Sequence, residues 1–475
     1  MPTSKKGTKR VPAVPRTDPK SLVAVKRALP AKSARQGAAE TGDLTAVSGT
    51  PTKEFFVSML VRDIELLPAV VDLVDNSVDG ARRLRPDGDY SGLEVHIQAH
   101  RDHFVITDNC GGIPVDTAVK YAFRFGRDKK AGSEKHTIGQ FGVGMKRAVF
   151  KLGRKFTVRS STTKDAFILV VDVDDWLSRP DDWDFLLRRT PDEIAASAAE
   201  TGTTLRVERL LDEVSDTFSG KAWRTDLAAD LRLKHSDALN RNMRISVNDE
   251  PVRPIPLEII TSPPFRPTVQ RLVRGKGTRA VTLRLVAGLA RSQPEFGGWY
   301  VFCNGRLVLG PDKDETTVWI GKTNRGLPRY HDEYARFRGY AFFDSDDASA
   351  LPWTTTKVGI DGDSALWVAT RERMRDISKP VIRFLRELDR QRDAGDDSTD
   401  RLLEAARPRP IQALAATRSE FKPPPMKLPR EEGEVGIAYS RPREQVDEAK
   451  SLLGVTTNRD VGVKTFEYFL DAEGE

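Results

Sequence analysis

The sequence predicts an α+β fold, in which a two-layer α/β sandwich is followed by a second α/β unit and a short helical C-terminal segment. Three observations predict it. A valine stripe of helical period follows Pro68. Two short runs of alternating polarity come next, over residues 93–97 and 103–106. Strand-like runs over 155–160, 166–173 and 203–207 then alternate with helical stretches, the order expected when helices cover one face of a mixed sheet.

Residues 1–50 are rich in Lys, Pro, Ala, Ser and Thr without periodicity and read as a disordered basic tail. They hold ten Lys/Arg and three Asp/Glu, a net +7 that equals the net charge of the whole 475-residue chain. The basic character is therefore a property of the tail. A loose basic arm suits nucleic acid or another polyanion through counterion release. The plainer reading is a solubilising tail. Order is expected from residue 51, and the first domain is expected to end near 215.

Within that domain Pro68 suits a first helical position, where its missing N–H would be unbonded anyway. Val70, Val71, Val74 and Val78 supply the apolar face. The runs at 93–97 and 103–106, joined by Arg101-Asp102, read as a β-hairpin. Residues 124–137 read as a mobile loop, 144–152 as a helix and 176–200 as a helical insertion. The second α/β unit is expected over 216–390, with strands near 280–286 and 298–303 and a long helix from about 364 to 389. Residues 391–440, with Lys422-Pro423-Pro424-Pro425, have the composition of a linker. Residues 441–475 end in a helical pattern carrying Phe466, Tyr468, Phe469 and Leu470.

Composition excludes several classes. No apolar run approaches the roughly 18 residues of a membrane span. No short apolar block marks a secretory signal. The two cysteines, Cys110 and Cys303, form no CxxC pair. A reducing, cytoplasmic setting without membrane contact is expected.

Three motifs carry the chemistry. Asp72, Asn76 and Asp79 stand at i, i+4 and i+7, so the Pro68 helix presents them on one stripe. Thr107-Asp108-Asn109-Cys110-Gly111-Gly112-Ile113 places a carboxylate at a strand end before two glycines. Such a carboxylate can accept a hydrogen bond from an adenine amino group, and bare glycine backbone lets a planar base lie against it. Ile138-Gly139-Gln140-Phe141-Gly142-Val143-Gly144-Met145-Lys146 runs a G-x-x-G-x-G loop into a helix, which makes an anion cradle of backbone N–H groups. Each has a plainer reading alone: a solvated helix face, a turn, a glycine loop. A phosphate loop of the G-x-x-x-x-G-K-[ST] type is absent, because the upstream glycine for Gly321-Lys322-Thr323 would fall at Thr316.

Together, in this order, these motifs resemble the nucleotide site of the gyrase B, heat-shock chaperone, histidine kinase and MutL (GHKL, Bergerat-fold) ATPase superfamily. The resemblance covers roughly residues 52–210 and includes Gly202-Thr203-Thr204-Leu205. It implies a Bergerat ATP-binding fold followed by a transducer-like domain, with ATP and Mg²⁺ as ligands. The implied nucleotide contacts are Asn76, Asp79, Asp108, Gly112, Ile113, Gly139, Gln140, Gly142, Val143, Gly144, Lys146 and Thr203. Asn76 is the implied Mg²⁺ ligand, Asp108 the adenine contact and the glycine loop the lid. Thr203 is implied to help hold Asp108 and the base. Lys146 adds a candidate phosphate contact, with a solvated helix lysine as its plainer reading. The general base falls on Asp72, where the superfamily normally has glutamate; the shorter reach implies slow hydrolysis. Cys110 stands at the first glycine position of the adenine motif, which implies a reshaped base pocket.

Within the superfamily the chain most resembles the MORC group, through residues 123–127, 146–153, Asn304-Gly305-Arg306-Leu307-Val308 and the segment 351–357 ending at Lys357. The resemblance implies that Lys357 reaches the ATP γ-phosphate. It also implies an ATP-dependent homodimer acting on DNA or a DNA-bound complex. The alternative is a heat-shock-type chaperone ATPase, whose lid sequence is very similar; the chain is shorter than that reading expects. A histidine kinase is not expected, since all six histidines follow Asn76. Neither a MutL-type Asp-Gln-His-Ala metal motif nor a zinc finger is present.

Overall fold

The computed structural model describes residues 49, 51–125, 138, 144–263, 265–321, 326–354, 356–414, 418–423, 426 and 440–473. The expected tail, apart from Gly49, and the lid residues Gly139, Gln140, Gly142 and Val143 lie outside them. Two helices open the described chain, α1 (Lys53–Arg62) and α2 (Leu66–Leu84). On α2, Val70, Val71 and Val74 are fully buried and Val78 nearly so. Each buried valine contributes roughly 1.5–3 kcal/mol, more than its modest helix-propensity cost. Glu65 is the N-cap, so Pro68 is the third helical residue rather than the first. Its missing N–H still falls among the four that a helix start leaves unbonded.

The expected hairpin is present as β1 (Glu94–Ala99) and β2 (His103–Asp108), paired antiparallel. One turn of helix, α3 (Val115–Thr117), follows, and α4 (Gly144–Leu152) matches the expected helix. Then come β3 (Gly153–Ser161), β4 (Ala166–Asp172), α5 (Val173–Leu177), β5 (Leu187–Arg189) and β6 (Gly202–Leu210). The helical insertion expected over 176–200 is not formed. After the short α5 the chain pairs β5 with β4 and makes 3-10 turns at Pro191–Glu193 and Ala198–Glu200. Pro180 and Pro191 interrupt any helix there. Trp176, Trp183 and Phe185 instead gather around Phe125, with ring centroids 5.8–6.2 Å from it.

Helices α6 (Asp212–Ser219), α7 (Lys221–Lys234) and α8 (Ser236–Asn240) lead to β7 (Arg244–Val247) and β8 (Glu250–Pro251). The first sheet has the order β5-β4-β3-β6-β2-β1-β7-β8, with β7 parallel to β1. It thus continues past the boundary expected near 215. Val95, Ile97, Phe104, Ile106, Val158, Leu205 and Val207 alternate onto one buried face that shares a core with the α2 valines.

Beyond β9 (Glu258–Ile260) lie β10 (Thr268–Arg274), β11 (Val281–Leu289), β12 (Gly298–Cys303), β13 (Arg306–Asp312) and β14 (Phe337–Ser345). They form a five-stranded sheet of order β10-β11-β14-β12-β13, as the second α/β unit requires. The 29-residue helix α9 (Ala365–Asp393) packs on β11 and β14. The segment read as a linker starts with ordered structure. Helix α10 (Ser398–Ala405) is followed by β15 (Pro408–Pro410), which pairs with β9. Leu403 and Ile411 are fully buried and anchor this Pro/Arg-rich stretch, which average composition conceals. Helices α11 (Arg443–Leu453) and α12 (Asn458–Glu473) end the chain. Thr52–Glu475 forms one unit. No helix among the described residues is long and apolar enough to cross a membrane.

Candidate functional site

Helix α2 carries the polar stripe at the edge of its buried valine face. Asn76 is exposed, and its amide nitrogen donates to the Asp72 carbonyl at 3.2 Å. Its amide oxygen has no partner among the described residues. Among those residues no cluster of three or more His, Cys, Asp or Glu could hold a metal alone. A Mg²⁺ here would draw on Asn76, phosphate oxygens and water, a ligand set that this ion favours.

Asp108 ends β2 directly opposite Thr203 of β6. Ser77 Oγ donates to its Oδ2 at 2.7 Å, and the Cys110 N–H donates to its Oδ1 at 2.9 Å. Burial pushes the Asp108 carboxyl up, against the pull of these donors. The Thr203 hydroxyl pairs with Ser160 Oγ at 2.9 Å, and the same Ser160 oxygen accepts the Ile113 N–H at 2.7 Å. Thr203 therefore supports the Ile113 turn through Ser160, while its backbone meets Asp108. Three glycines permit the close approach. A Cβ on Gly202 would overlap the Asp108 carbonyl, one on Gly80 the Cys110 carbonyl, and one on Gly112 the Ser161 carbonyl. Cys110 is buried, and burial pushes its thiol far above the ordinary range, so it is a packing group rather than a nucleophile.

The N-terminus of α4 lies against Asp72: a Cβ on Gly144 would sit 3.6 Å from Asp72 Oδ2. Backbone N–H groups and the helix dipole at that end favour an anion beside the Asp72–Asn76 stripe. Asp79 takes a different place from a solvent-facing ligand. It is buried, and its two carboxylate oxygens accept the Ile138 N–H at 2.7 and 2.9 Å. It fixes the residue that precedes the glycine loop. Lys146 is only 2% exposed, which sets aside the solvated reading. Its ammonium donates to the Ala122 carbonyl at 3.0 Å and the Arg124 carbonyl at 2.6 Å, so it ties α4 to the segment entering the loop.

The five-stranded sheet and the turn after it reach into this face of α2. Asn304 and Gly305 both adopt positive φ and form the two-residue turn between β12 and β13. That turn sets Arg306 against α2, where it is 1% exposed and pairs with Asp75. Lys357 sits in a left-handed backbone conformation, φ 57°, within a turn closed by its own N–H to Thr354. Its ammonium lies 2.8 Å from Asp75 Oδ2 and 3.4 Å from Asp72 Oδ1, and Arg306 lies 3.4 Å from the same Asp72 oxygen. Burial alone would raise the Asp75 carboxyl, but Arg306 and Lys357 overcome it and hold the acid well below the usual carboxylate range. Asp72 moves the other way: burial and the adjacent Asp75 raise it, and Lys357 and Arg306 oppose the rise. His235 Nε2 lies 3.7 Å from Asp75 Oδ1. Burial pushes that imidazole down to about 4, so it is neutral near pH 7 and adds no ion pair. Arg82 completes the junction by donating to the Asn304 carbonyl and to Asp344 Oδ1, the latter at 3.0 Å.

The structure thus brings together Asp72, Asn76, Gly144 and Lys357, and separately Asp108, Gly112, Ile113 and Thr203, on adjoining elements. Asp75, Ser77, Ser160, Arg306 and His235 are site residues that the sequence motifs did not assign. Two signals pointed to them. Asp75 is a charged residue among the valines of the apolar stripe, an unusual position unless paired. Asn304-Gly305 is the dipeptide favoured in two-residue hairpins, which makes Arg306 the first residue of a returning strand.

Residues 64–201 match the family model described as Histidine kinase-, DNA gyrase B-, and HSP90-like ATPase. The matched span contains Asp72, Asn76, Asp108 and the glycine loop and stops two residues before Thr203. No curated protein matches the chain.

Proposed function

We propose that this chain is an ATP-driven switch of the MORC/MutL type, in which a slow Mg²⁺-dependent ATPase site closes its lid and brings two copies together on DNA or a DNA-bound complex. The observation that carries the reading is the meeting of Asp72, Lys357 and the α4 N-terminus: two helices of the first sandwich and a turn that follows β14 converge where the terminal phosphate would lie. ATP binding rests on the family match over 64–201. Asp108 would accept from the adenine amino group, and the stripe of α2 would face the phosphates. Asn76 would hold Mg²⁺, which supplies charge neutralisation to the phosphates when bound. Asp72 would take a proton from the attacking water, the water oxygen would bond to the γ-phosphorus, and ADP would leave. A raised Asp72 pKa favours proton acceptance. Lys357 would exchange its carboxylate partners for the γ-phosphate, which couples nucleotide state to the second unit.

Light scattering with a non-hydrolysable ATP analogue, with and without duplex DNA, tests the proposal. A mass that doubles only with analogue is the expected outcome. A monomer under all conditions removes the switch. The heat-shock-type reading rests on the Ile138–Gly144 loop sequence. ATP-dependent protection of an aggregating client, with no effect of DNA, would favour it instead.

A further inference from the structure

Outside the nucleotide site, α9 forms one wall of a groove of about 340 Å³ whose other wall is Gly326, Leu327 and Pro328. Lys379, Arg383, Arg386 and Arg390 line it. Their spacing, i, i+4, i+7 and i+11, puts all four on one stripe, which runs for roughly 16 Å along the axis at the helical rise per residue. All four are exposed. Among the described lining residues only Glu387 is acidic.

Like charges three and four residues apart destabilise a helix, and two cations of α9 off this stripe are paired with acids. Arg375 pairs with Asp376, and Arg392 pairs with Asp400 of α10. On the groove stripe pairing with acids is sparse. Arg383 and Arg390 make no ion pair or side-chain hydrogen bond with any described residue, Lys379 has one exposed contact with Asp376 at 3.5 Å, and Arg386 is held in place by the Tyr334 hydroxyl at 3.0 Å.

We propose that this groove is a docking surface for the phosphodiester backbone of duplex DNA. A row of cations this long exceeds what a single small anion can engage, whereas each strand of duplex DNA presents a phosphate every ~3.4 Å of helix axis. Among the described residues no aromatic side chain lines the groove, so they offer no platform for the stacked bases of a single strand. Ile382 and Leu327 leave an aliphatic floor without donors for base edges, so the contact reads backbone rather than sequence. The inference deepens the DNA reading given above: it moves the main DNA contact from the basic tail to the second unit.

The test is fluorescence anisotropy of the full-length chain with a labelled 20-base-pair duplex of arbitrary sequence, without nucleotide, across a salt series. Arg383→Gln/Arg390→Gln is expected to weaken binding about tenfold at low salt and to flatten the log–log salt slope by nearly 2, since each lost phosphate contact removes about 0.9. Both residues are exposed, and an unchanged melting curve confirms the fold. Arg383→Glu, a charge reversal, is expected to weaken binding further. Unchanged affinity and slope in the double variant, or no duplex binding by the parent chain, overturns the proposal. Binding equally tight to a single strand also overturns it. Because nucleotide is omitted, each of these outcomes leaves the ATP reading to stand or fall on the light-scattering result.

Discussion

Replacing Asp75 by asparagine removes the counter-charge of two buried cations while keeping the side-chain shape. Asp75 is fully buried, Arg306 is 1% exposed and Lys357 7%. Loss of one member of such a group leaves uncompensated charge in a medium of low dielectric, which costs roughly 3–5 kcal/mol. Arg306→Met is expected to cost less, because Lys357 remains 2.8 Å from Asp75. The double variant Asp75→Asn/Arg306→Met is expected to recover part of the loss, with a coupling of at least about 1 kcal/mol, since one orphaned cation is gone. Urea denaturation followed by intrinsic fluorescence reads all four proteins. An Asp75→Asn cost below about 1 kcal/mol, or strict additivity of the two single changes, would refute the buried-cluster argument.

The other predictions concern the base pocket, the stripe and pH. Gly202→Ala forces a Cβ into the Asp108 carbonyl and is expected to weaken ATP binding tenfold or more by calorimetry, with a stability loss of about 1–3 kcal/mol. Gly462→Ala, which meets open space, serves as its control. Asn76→Ala is expected to abolish Mg·ATP binding, and Asp72→Ala to retain binding but stop phosphate release. Normal turnover in Asp72→Ala would send the search to Glu65, although that residue caps α2 about 10 Å up the helix axis. His235, depressed to about 4, refuses a proton that the unfolded chain accepts near 6.5. Its contribution is fully present above pH 6.5 and is lost as pH falls toward 4, roughly 2 kcal/mol of it between pH 7 and 5. A His235→Gln protein with the same stability slope over that range would contradict this.

Much of the first sandwich was legible because its signals are local. The valine stripe of α2, the alternating β1–β2 hairpin and the glycines before α4 each follow from the backbone period of one element. The 176–200 segment misled because its helix-forming residues are cut by prolines and its tryptophans are drawn to Phe125, a partner far away in sequence. The 391–440 segment misled for the opposite reason: a few buried anchors such as Leu403 and Ile411 outweigh a linker-like composition.

The sequence alone sets the spacing of the residues proposed for the site: Asp72, Asn76 and Asp108 stand at intervals that any α2 helix and β2 strand would keep. Only the tertiary structure decided what those groups meet. The position of Asp75 among the valines signals only that it is paired, and the fold supplies the partners, Arg306 and Lys357, more than 230 residues away in the chain. Lys146 looked solvated or phosphate-facing, and the fold committed it to carbonyls of the entering segment. The physical reason is common to both. A period along one element fixes the direction of a side chain, whereas the charge state and partner of a buried group depend on which distant elements close over it.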